Sequence, residues 1–322
     1  MRQGVRRLSR FCDGLAGLGL ALGLAILLAA LFGERFPALD LASLAVLPAA
    51  CVSLAGGCWL LVRARSLTAR LLLSVCLMPG VAALLPGPAR APCAPSMPRL
   101  RVAWINAHNP ADARPILAWI ARERPQIAGV AEVEPGARAL RAGLAARYPH
   151  WHSCLANTRC STVLYAAVRP ERMEGLARGD PENRKALSAV SMTFAAAGRS
   201  RPVQILAAHL SRPLPLGRQR AELAELEAAL QPAADTIVMG DFNMPPRMRA
   251  LRAFAARSGL DIVSIGRPTW PERVGGAGIG GLWQIDQLLL GRGWRVSAIR
   301  RSPDLDSDHR GYVADVCRVS AG

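Results

Sequence analysis

The sequence predicts an α/β domain rich in β-strands, preceded by apolar segments that are long enough to cross a membrane. From residue 100 to the end of the chain, short apolar runs alternate with helical patterns. Long uncharged runs lie within residues 1–85, and a segment rich in proline and alanine follows them. We therefore expect a membrane anchor at residues 1–85, a linker at 86–99 and one soluble domain at 100–322.

The anchor contains two uncharged runs, residues 15–32 and 41–62, whose lengths approach the ~20 residues that a helix needs to cross a bilayer core. A third run, residues 71–85, is shorter and contains Pro79, so we predict two or three transmembrane helices. An alternative for the first run is a cleaved signal peptide, because arginines precede it. Its length and the apolar segments that follow favour a membrane helix.

The arginines also predict the orientation of the anchor. Four of them hold the N-terminus in the cytoplasm under the positive-inside rule, and these are Arg2, Arg6, Arg7 and Arg10. With three spans, everything after residue 90 would lie outside the cytoplasm. We therefore expect a multi-pass protein of the inner cell membrane whose soluble domain is extracytoplasmic or periplasmic.

The soluble part is strongly basic. The first 90 residues account for +6 of the formal charge of +17, which leaves +11 for the remainder. A basic surface favours a polyanionic partner such as nucleic acid, or a membrane surface. However, Lys185 is the only lysine among 40 basic residues, which indicates a general bias toward arginine. Charge alone therefore favours nucleic acid only slightly.

The eight cysteines fall into two groups of four. One group lies in or beside the apolar runs and comprises Cys12, Cys51, Cys58 and Cys76. The other group lies in the soluble part and comprises Cys93, Cys154, Cys160 and Cys317. In an oxidising compartment the simplest pairing of this second group joins the first cysteine to the last and the middle two to each other. Four buried free thiols are the alternative.

The alternating patterns predict nine strands and three helices in the soluble domain. The strands are expected at residues 101–106, 127–132, 161–168, 186–194, 203–209, 236–241, 284–290, 294–299 and 311–319. The helices are expected at residues 111–123, 217–230 and 248–258. Neither a GxxxxGK[ST] nor a GxGxxG loop follows a strand, which argues against a nucleotide-cofactor fold.

Polar side chains that suit catalysis or metal binding close or flank these strands. They are Asn106, Glu132, His209, Asp241, Asn243, Asp286, Asp308 and His309. Strand ends are where loops gather into sites. The carboxylates and amides among them are oxygen ligands, which favour Mg²⁺ or Mn²⁺ over zinc. The chemistry that this ligand set implies is cleavage of a phosphate ester.

Seven segments resemble the signatures of the endonuclease/exonuclease/phosphatase family and occur in that family's order. They are RVAWINAHN at 101–109, PQIAGVAEVEP at 125–135, ILAAHLSRP at 205–213, VMGDFNMPP at 238–246, PTWPE at 268–272, QIDQLLL at 284–290 and SDHRG at 307–311. The resemblance implies a four-layer α/β sandwich like that of deoxyribonuclease I, with two mixed β-sheets flanked by helices. It also implies a metal-dependent hydrolase of phosphoric ester bonds at residues 100–322.

The resemblance assigns roles to the polar residues. It makes Asn106 and Glu132 the main holders of Mg²⁺ or Mn²⁺, and it places Asp308 close to the metal or the attacking water. Asp241 and Asn243 would position the nucleophile and the phosphate.

Two histidines complete the set that the resemblance implies. His309 would contact the scissile phosphate and Asp286 would pair with it, which raises the basicity of the imidazole and fixes its tautomer. His209 resembles the second histidine of the deoxyribonuclease and sphingomyelinase branches. The implied mechanism is in-line attack by a water that the metal or Asp241 activates.

Several other residues remain open to two interpretations. Gln126 and Gln287 depart from the family pattern, which affects expected substrate contacts but removes no catalytic group. His108 is explained about as well by loop capping as by a place in the cleft. Trp270 and Trp283 bracket a glycine-rich loop and either contact substrate or pack at the edge of the core.

The leading functional hypothesis is a membrane-anchored nuclease, because the basic charge and the two histidines fit nucleic acid. The alternative is a phospholipid or phosphoinositide phosphodiesterase or phosphatase at the membrane surface, and loops 169–185 and 266–283 would decide between these substrates. A catalytically silent scaffold is disfavoured, because the expected catalytic residues are all in place.

Overall fold

The computed structural model describes residues 2–84, 93, 97, 99–133, 137–154, 161–177, 187–195, 201–231, 235–263, 265–274 and 276–319. The chain divides into two compact units. One comprises residues 1–89 with 247–250, and the other comprises residues 90–246 with 251–322. Most of the predicted linker at 86–99, part of loop 169–185 and Cys160 lie outside the described residues.

The N-terminal unit is helical. Its elements are α1 (Arg2–Leu31), α2 (Pro37–Asp40), a 3₁₀ helix (Leu41–Ala45), α3 (Val46–Arg63) and α4 (Leu67–Leu84). Two segments of the described chain, Arg7–Leu31 and Pro37–Arg63, are long and apolar enough to cross a membrane, and a shorter apolar helix covers Leu67–Ala82. Length and composition alone are a weak indication of a membrane span.

Small residues bring α1 and α3 close together. A Cβ atom on Gly23 would lie 2.6 Å from the carbonyl oxygen of Ala49, and one on Gly56 would collide with the carbonyl of Ala16. Glycine at both contacts therefore lets the two backbones approach, as in helix pairs that associate by van der Waals packing.

The rest of the chain alternates strands and helices. In order it contains β1 (Arg99–Asn106), α5 (Arg114–Glu123), β2 (Ile127–Ala131), α6 (Arg138–Arg147), β3 (His150–Ser153), β4 (Val163–Ala166), β5 (Arg172–Ala177), β6 (Ser188–Phe194), β7 (Val203–His209), α7 (Arg218–Ala229), β8 (Asp235–Asp241), α8 (Arg249–Arg257), β9 (Leu260–Val263), β10 (Arg273–Val274), β11 (Ala277–Gly278), β12 (Asp286–Gly291), β13 (Trp294–Arg301) and β14 (Tyr312–Arg318).

Within the described residues, twelve of these strands form two six-stranded sheets. The first has the order β13-β14-β1-β2-β4-β3 and the second has the order β5-β6-β7-β8-β12-β9, while β10 and β11 form a separate hairpin. Each sheet is mixed, because β1 pairs with β2 and β7 pairs with β8 in parallel while the other pairs are antiparallel. The predicted architecture of two mixed sheets flanked by helices is confirmed.

The main core lies between the two sheets. Val102 and Trp104 of β1 pack in one buried cluster with Ile205 of β7 and Met239 of β8. Trp104 fits because β2 carries glycine opposite it, since a Cβ atom on Gly129 would lie 2.8 Å from the indole ring. The absence of a side chain at Gly129 therefore makes room for the Trp104 ring on the face of the first sheet that meets the second sheet.

A second core lies on the outer face of the first sheet. Ala103 and Ile105 of β1 alternate with the inward residues and pack against Ile116 and Trp119 of α5 and Leu140 of α6. Both faces of β1 are therefore buried from residue 102 onward, which explains why residues 102–105 form a continuous apolar run rather than an alternating pattern.

Several elements differ from the sequence-based expectation. The first helix of the domain begins at Arg114 rather than at residue 111, because Asp112 accepts a hydrogen bond from the Arg114 amide (2.9 Å) just before it. The strand predicted at 161–168 is shorter, at Val163–Ala166, and the one predicted at 284–290 begins at Asp286. The sequence patterns did not predict α6, β3, β5, β9 or the β10–β11 hairpin.

The described cysteines of the soluble part form disulfides rather than free thiols. A disulfide joins Cys93 to Cys317 and so ties the segment before β1 to β14. Cys154 is also disulfide-bonded, although its predicted partner Cys160 lies outside the described residues.

Candidate active site

The register of the second sheet places three polar residues side by side. His209 at the end of β7 is paired with Asp241 at the end of β8, and Asp241 is also paired with Asp286 at the start of β12. All three are buried. The row arises because β7 and β8 are parallel while β12 runs the other way, so two strand ends and one strand start meet at one edge.

The first sheet contributes residues to the same place. Asn106 is the last residue of β1, and Glu132 directly follows β2, which is parallel to β1. Glu132 has a positive φ of 52°, which ends the strand and turns the side chain. The Nδ2 atom of Asn106 lies 3.2 Å from Oε1 of Glu132 and 3.0 Å from Oδ2 of Asp241, so the two sheets meet at this point.

Asp286 holds His309 in a fixed orientation. Nδ1 of His309 lies 2.9 Å from Oδ2 of Asp286, and the other carboxylate oxygen accepts a hydrogen bond of 2.7 Å from the indole of Trp104. If Nδ1 donates its proton to Asp286, Nε2 faces Asp241 at 3.6 Å and Asn106 at 3.4 Å. Both carboxylate oxygens of Asp286 are therefore engaged, and Asp286 orients the imidazole of His309.

The electrostatics of this cluster are those of buried carboxylates beside imidazoles. Burial lowers the pKa of His309, but the negative charges of Asp286, Asp241 and Asp308 outweigh it and raise the pKa to about 9. Burial raises the pKa of Asp241, with a further increase from Asp286, against the opposing effect of His309 and His209. The cluster therefore concentrates negative charge that protons or a cation would relieve.

His209 approaches the cluster from β7. Its ring is buried, and neither ring nitrogen makes a hydrogen bond to any described residue. Nε2 lies 3.7 Å from Oε1 of Glu132 and 3.8 Å from Oδ2 of Asp241. A buried imidazole without a hydrogen-bond partner is costly, so this orientation is suited to contact a bound oxygen of the substrate.

Asn243 sits in the loop after β8 with a φ of 50°. Its amide nitrogen donates to the carbonyl of Leu210 (2.9 Å), and its backbone N–H donates to Oδ1 of Asp241 (2.8 Å). Asn243 thus ties the loops after β7 and β8 together and fixes the Asp241 carboxylate. The described contacts of its side chain are with Leu210 rather than with the acidic cluster.

Asp308 brings a further carboxylate to this cluster. Its Oδ2 atom accepts a hydrogen bond from Nε1 of Trp270 (3.1 Å), whereas Oδ1 is buried and accepts no hydrogen bond from the described residues. Oδ1 lies 3.2 Å from Nδ1 of His108, and the same nitrogen lies 3.4 Å from Oε2 of Glu132. His108 therefore lies between two of the expected metal ligands.

Sequence reasoning left His108 outside the core site. The signal that favoured including it is its position two residues after Asn106, just beyond the end of a central strand. Trp270 was also left open, and its indole proves to contact Asp308 and to stack on Trp283 with ring centroids 5.8 Å apart.

Two groups of side chains are candidates for holding a divalent cation. One atom from each of Asp241, Asp286 and His309 lies within 4.8 Å of the others. However, both oxygens of Asp286 and Nδ1 of His309 are already used in hydrogen bonds. Hydrogen bonding therefore explains this compact group without a metal.

The group that includes Glu132 and Asp308 fits a hard cation better. Its carboxylate oxygens are the ligands that Mg²⁺ and Mn²⁺ prefer, and one of them, Oδ1 of Asp308, is a buried acceptor without a hydrogen bond from the described part of the chain. Asn106 directs its amide nitrogen at Glu132, while its oxygen accepts the His108 amide at 3.0 Å. To bind a metal, Asn106 would have to present this oxygen.

Comparisons with known proteins identify the family of the chain. The model of the Endonuclease/Exonuclease/phosphatase family matches residues 103–309. No curated protein matches the chain. A solved endonuclease/exonuclease/phosphatase from Beutenbergia cavernae DSM 12333 is similar, with a TM-score of 0.54, 20% identity, and coverage of 68% of this chain and 72% of that one.

Two further solved structures share the fold. One is D. rerio TDP2 complexed with single strand DNA product, with a TM-score of 0.53, 14% identity, and coverage of 68% of this chain and 98% of that one. The other is the human Nocturnin catalytic domain with bound sulfate anion, with a TM-score of 0.52, 17% identity, and coverage of 69% and 94%. The family model covers more than half of the chain, and the chain therefore belongs to the Endonuclease/Exonuclease/phosphatase family of phosphoric ester hydrolases.

Proposed function

We propose that the protein is a divalent-metal-dependent phosphodiesterase that cleaves nucleic acid with an activated water. The observation that carries this proposal is that polar side chains from four separate segments of the chain meet at one point. The amide of Asn106 lies 3.0 to 3.4 Å from side-chain atoms of Glu132, Asp241 and His309, and Nε2 of His309 lies 3.6 Å from Asp241. Burying a row of acids and imidazoles at the edge of two packed sheets costs free energy of folding. Groups of this kind concentrate at functional sites, which favours a role in chemistry.

The side chains divide the reaction between them. Asp241, whose pKa is raised, accepts the proton of the attacking water as the water oxygen bonds to phosphorus. The bond from phosphorus to the leaving oxygen breaks in the same step, and the leaving oxygen takes a proton from solvent. His309, held by Asp286, directs Nε2 at a phosphoryl oxygen, and His209 approaches from the neighbouring strand. Both imidazoles offset the negative charge that builds in the transition state.

Mg²⁺ or Mn²⁺ held by Glu132, Asp308 and the oxygen of Asn106 would supply positive charge opposite the phosphoryl oxygens. Asn243 keeps the Asp241 carboxylate in place through its backbone N–H. No covalent intermediate with the protein is required, because water is the nucleophile.

Nucleic acid is the substrate class that the charge favours. The chain carries +11 after residue 90, and a polyanion gains affinity from each phosphate that arginine neutralises. The TDP2 structure contains a single strand DNA product, and the two proteins share the fold. These two observations support a nuclease, and the lengths of the products would distinguish endonuclease from exonuclease action.

The apolar helices favour a second candidate. If Arg7–Leu31 and Pro37–Arg63 cross the inner membrane, the catalytic domain would be held near lipid headgroups. A phospholipid or phosphoinositide phosphodiesterase or phosphatase would then use the same metal and histidines. We propose a multi-pass anchor with residues 100–322 on the periplasmic side in either case, a placement that the disulfide between Cys93 and Cys317 supports.

A substrate panel tests the proposal. The full chain in detergent is incubated with single- and double-stranded DNA, RNA, and vesicles of phosphatidylcholine or phosphoinositide, with Mg²⁺, Mn²⁺ or EDTA. We expect metal-dependent nucleic-acid cleavage that falls at least ~100-fold in both His309→Ala and Glu132→Gln. Release of headgroup or phosphate from vesicles alone would favour the lipid enzyme, and no activity on any substrate would contradict both candidates.

A further inference from the structure

His108 has no part in the proposed chemistry, yet it lies among the expected metal ligands. Its Nδ1 atom is 3.4 Å from Oε2 of Glu132 and 3.2 Å from Oδ1 of Asp308. We propose that His108 binds the divalent metal directly and gives the site a preference for Mn²⁺ over Mg²⁺. This inference rests on the proposed function, since it concerns the same metal.

The distances suit adjacent ligands of one ion. Two neighbouring ligand atoms on an octahedral ion with bonds of ~2.1 Å are ~3.0 Å apart. The separations from Nδ1 of His108 to the two carboxylates, 3.4 and 3.2 Å, are close to this value. His108 therefore lies at the distance from each carboxylate that neighbouring ligands of one ion would have.

The backbone turns the imidazole toward the carboxylates. His108 and Asn109 have φ values of 49° and 47°, a left-handed conformation that is uncommon for residues other than glycine. Two hydrogen bonds hold this turn: the His108 amide donates to Oδ1 of Asn106 (3.0 Å), and the Asn109 amide donates to the carbonyl of Glu132 (2.8 Å). The loop is thus tied to two expected ligands at once, and strain of this kind concentrates at functional positions.

The imidazole nitrogen of His108 is the ligand that would make the site prefer Mn²⁺ over Mg²⁺. Mg²⁺ favours oxygen ligands and retains waters, whereas an imidazole nitrogen is better accepted by Mn²⁺ and the later transition ions. A site with two carboxylates and one imidazole should therefore discriminate against Mg²⁺ more than a site with oxygen ligands alone. Replacing the imidazole by an oxygen donor should remove much of that discrimination.

Pulsed electron paramagnetic resonance of Mn²⁺ tests this directly, because it detects a nitrogen nucleus bonded to the ion without any reaction taking place. The full chain in detergent is loaded with Mn²⁺ alone. The variant is His108→Asn, because asparagine tolerates a positive φ and offers an oxygen. The matched control is His150→Ala, since His150 lies on β3 at the edge of the first sheet.

We expect nitrogen coupling in the wild type and in His150→Ala, and its loss in His108→Asn. In parallel titrations with the two ions, His108→Asn should decrease the ratio of Mn²⁺ affinity to Mg²⁺ affinity by about tenfold. Nitrogen coupling that persists in His108→Asn would overturn the proposal, because another histidine would be the ligand. Mn²⁺ bound without nitrogen coupling in the wild type would also overturn it.

The two proposals fail in different ways. If both ions bind, and the ratio of Mn²⁺ to Mg²⁺ affinity is the same in the wild type and in His108→Asn, only the proposed role of His108 is wrong. If neither ion binds the wild type, the metal dependence in the proposed function fails as well.

Discussion

Nδ1 of His309 lies 2.9 Å from Oδ2 of Asp286, and the opposite oxygen of that carboxylate accepts the indole N–H of Trp104 at 2.7 Å. His309, which we propose to face the substrate, is therefore oriented by a residue that is itself held by Trp104 of the core between the sheets. This chain of contacts links the packing of the fold to the chemistry of the site.

Asp286→Asn should separate orientation from folding. The amide presents a donor where the imidazole needs an acceptor, so the wrong tautomer of His309 is favoured. We expect kcat to fall by ~100-fold or more with a smaller change in KM. The control is Asp261→Asn, an exposed aspartate on β9. A kcat within twofold of the wild type in Asp286→Asn would contradict the orienting role.

His309 should titrate at high pH in protein kept free of metal with EDTA. The negative charges around it raise its pKa from the ordinary 6.5 to about 9. Because the folded-state pKa is raised, the stabilisation is fully present below pH 6.5 and is lost as the pH rises through about 9. The free energy of unfolding should therefore fall over this interval in the wild type and fall less in His309→Gln.

Nuclear magnetic resonance of the His309 ring checks the same prediction without unfolding. The titration midpoint should lie near 9 in the wild type and lower in Asp286→Asn, which loses one of the charges that raise it. A wild-type midpoint at or below 6.5 would show that burial outweighs the carboxylates.

Removal of the bound metal should lower the free energy of unfolding of the protein. An ion that binds only the folded state at about 100 times its Kd stabilises it by about 2.7 kcal/mol. We expect EDTA to lower the Tm of the wild type, and Glu132→Gln to lose this response. Glu132→Gln without metal should be at least as stable as the wild type without metal, because one charge of the acidic cluster is removed. The same Tm response in both proteins would remove Glu132 from the metal site.

Trp270→Phe should weaken the metal site through Asp308. The substitution removes the indole N–H that donates to Oδ2 of Asp308 at 3.1 Å while keeping an aromatic ring against Trp283. Loss of a partner of a metal ligand typically costs about 10- to 100-fold in metal affinity. Trp151→Phe, at an exposed position on β3, is the control. Unchanged metal affinity in Trp270→Phe would show that Asp308 is positioned without the indole.

The central strands and the strand-end residues could be predicted from sequence, because buried strands are continuous apolar runs and the polar residues that end them stand out. His209 and Asp241 were found in this way, and the register places them side by side. The edge elements could not be predicted. β3 has the sequence HWHS and β9 has LDIV, and such short edge strands carry too little apolar pattern to be separated from loops.

The sequence predicts which strand ends bring polar side chains to the candidate site, but it does not predict how those side chains are oriented. The apolar pattern includes Glu132 in a strand, whereas its positive φ ends β2 at Ala131 and the carboxylate lies beside Asn106. The place of His108 stays open at the level of sequence for the same reason, since its position depends on a left-handed turn that no local pattern indicates. Strain of this kind is maintained by tertiary contacts and is visible only once the fold is known.

Anomalous diffraction from crystals of the full chain soaked in Mn²⁺ would show whether the strand-end side chains gather around one divalent ion. We expect a single strong peak within about 2.3 Å of carboxylate oxygens of both Glu132 and Asp308. A peak coordinated by Asp241, Asp286 and His309 instead, or no peak in the cleft at Mn²⁺ concentrations that support hydrolysis, would be incompatible with the proposed metal site.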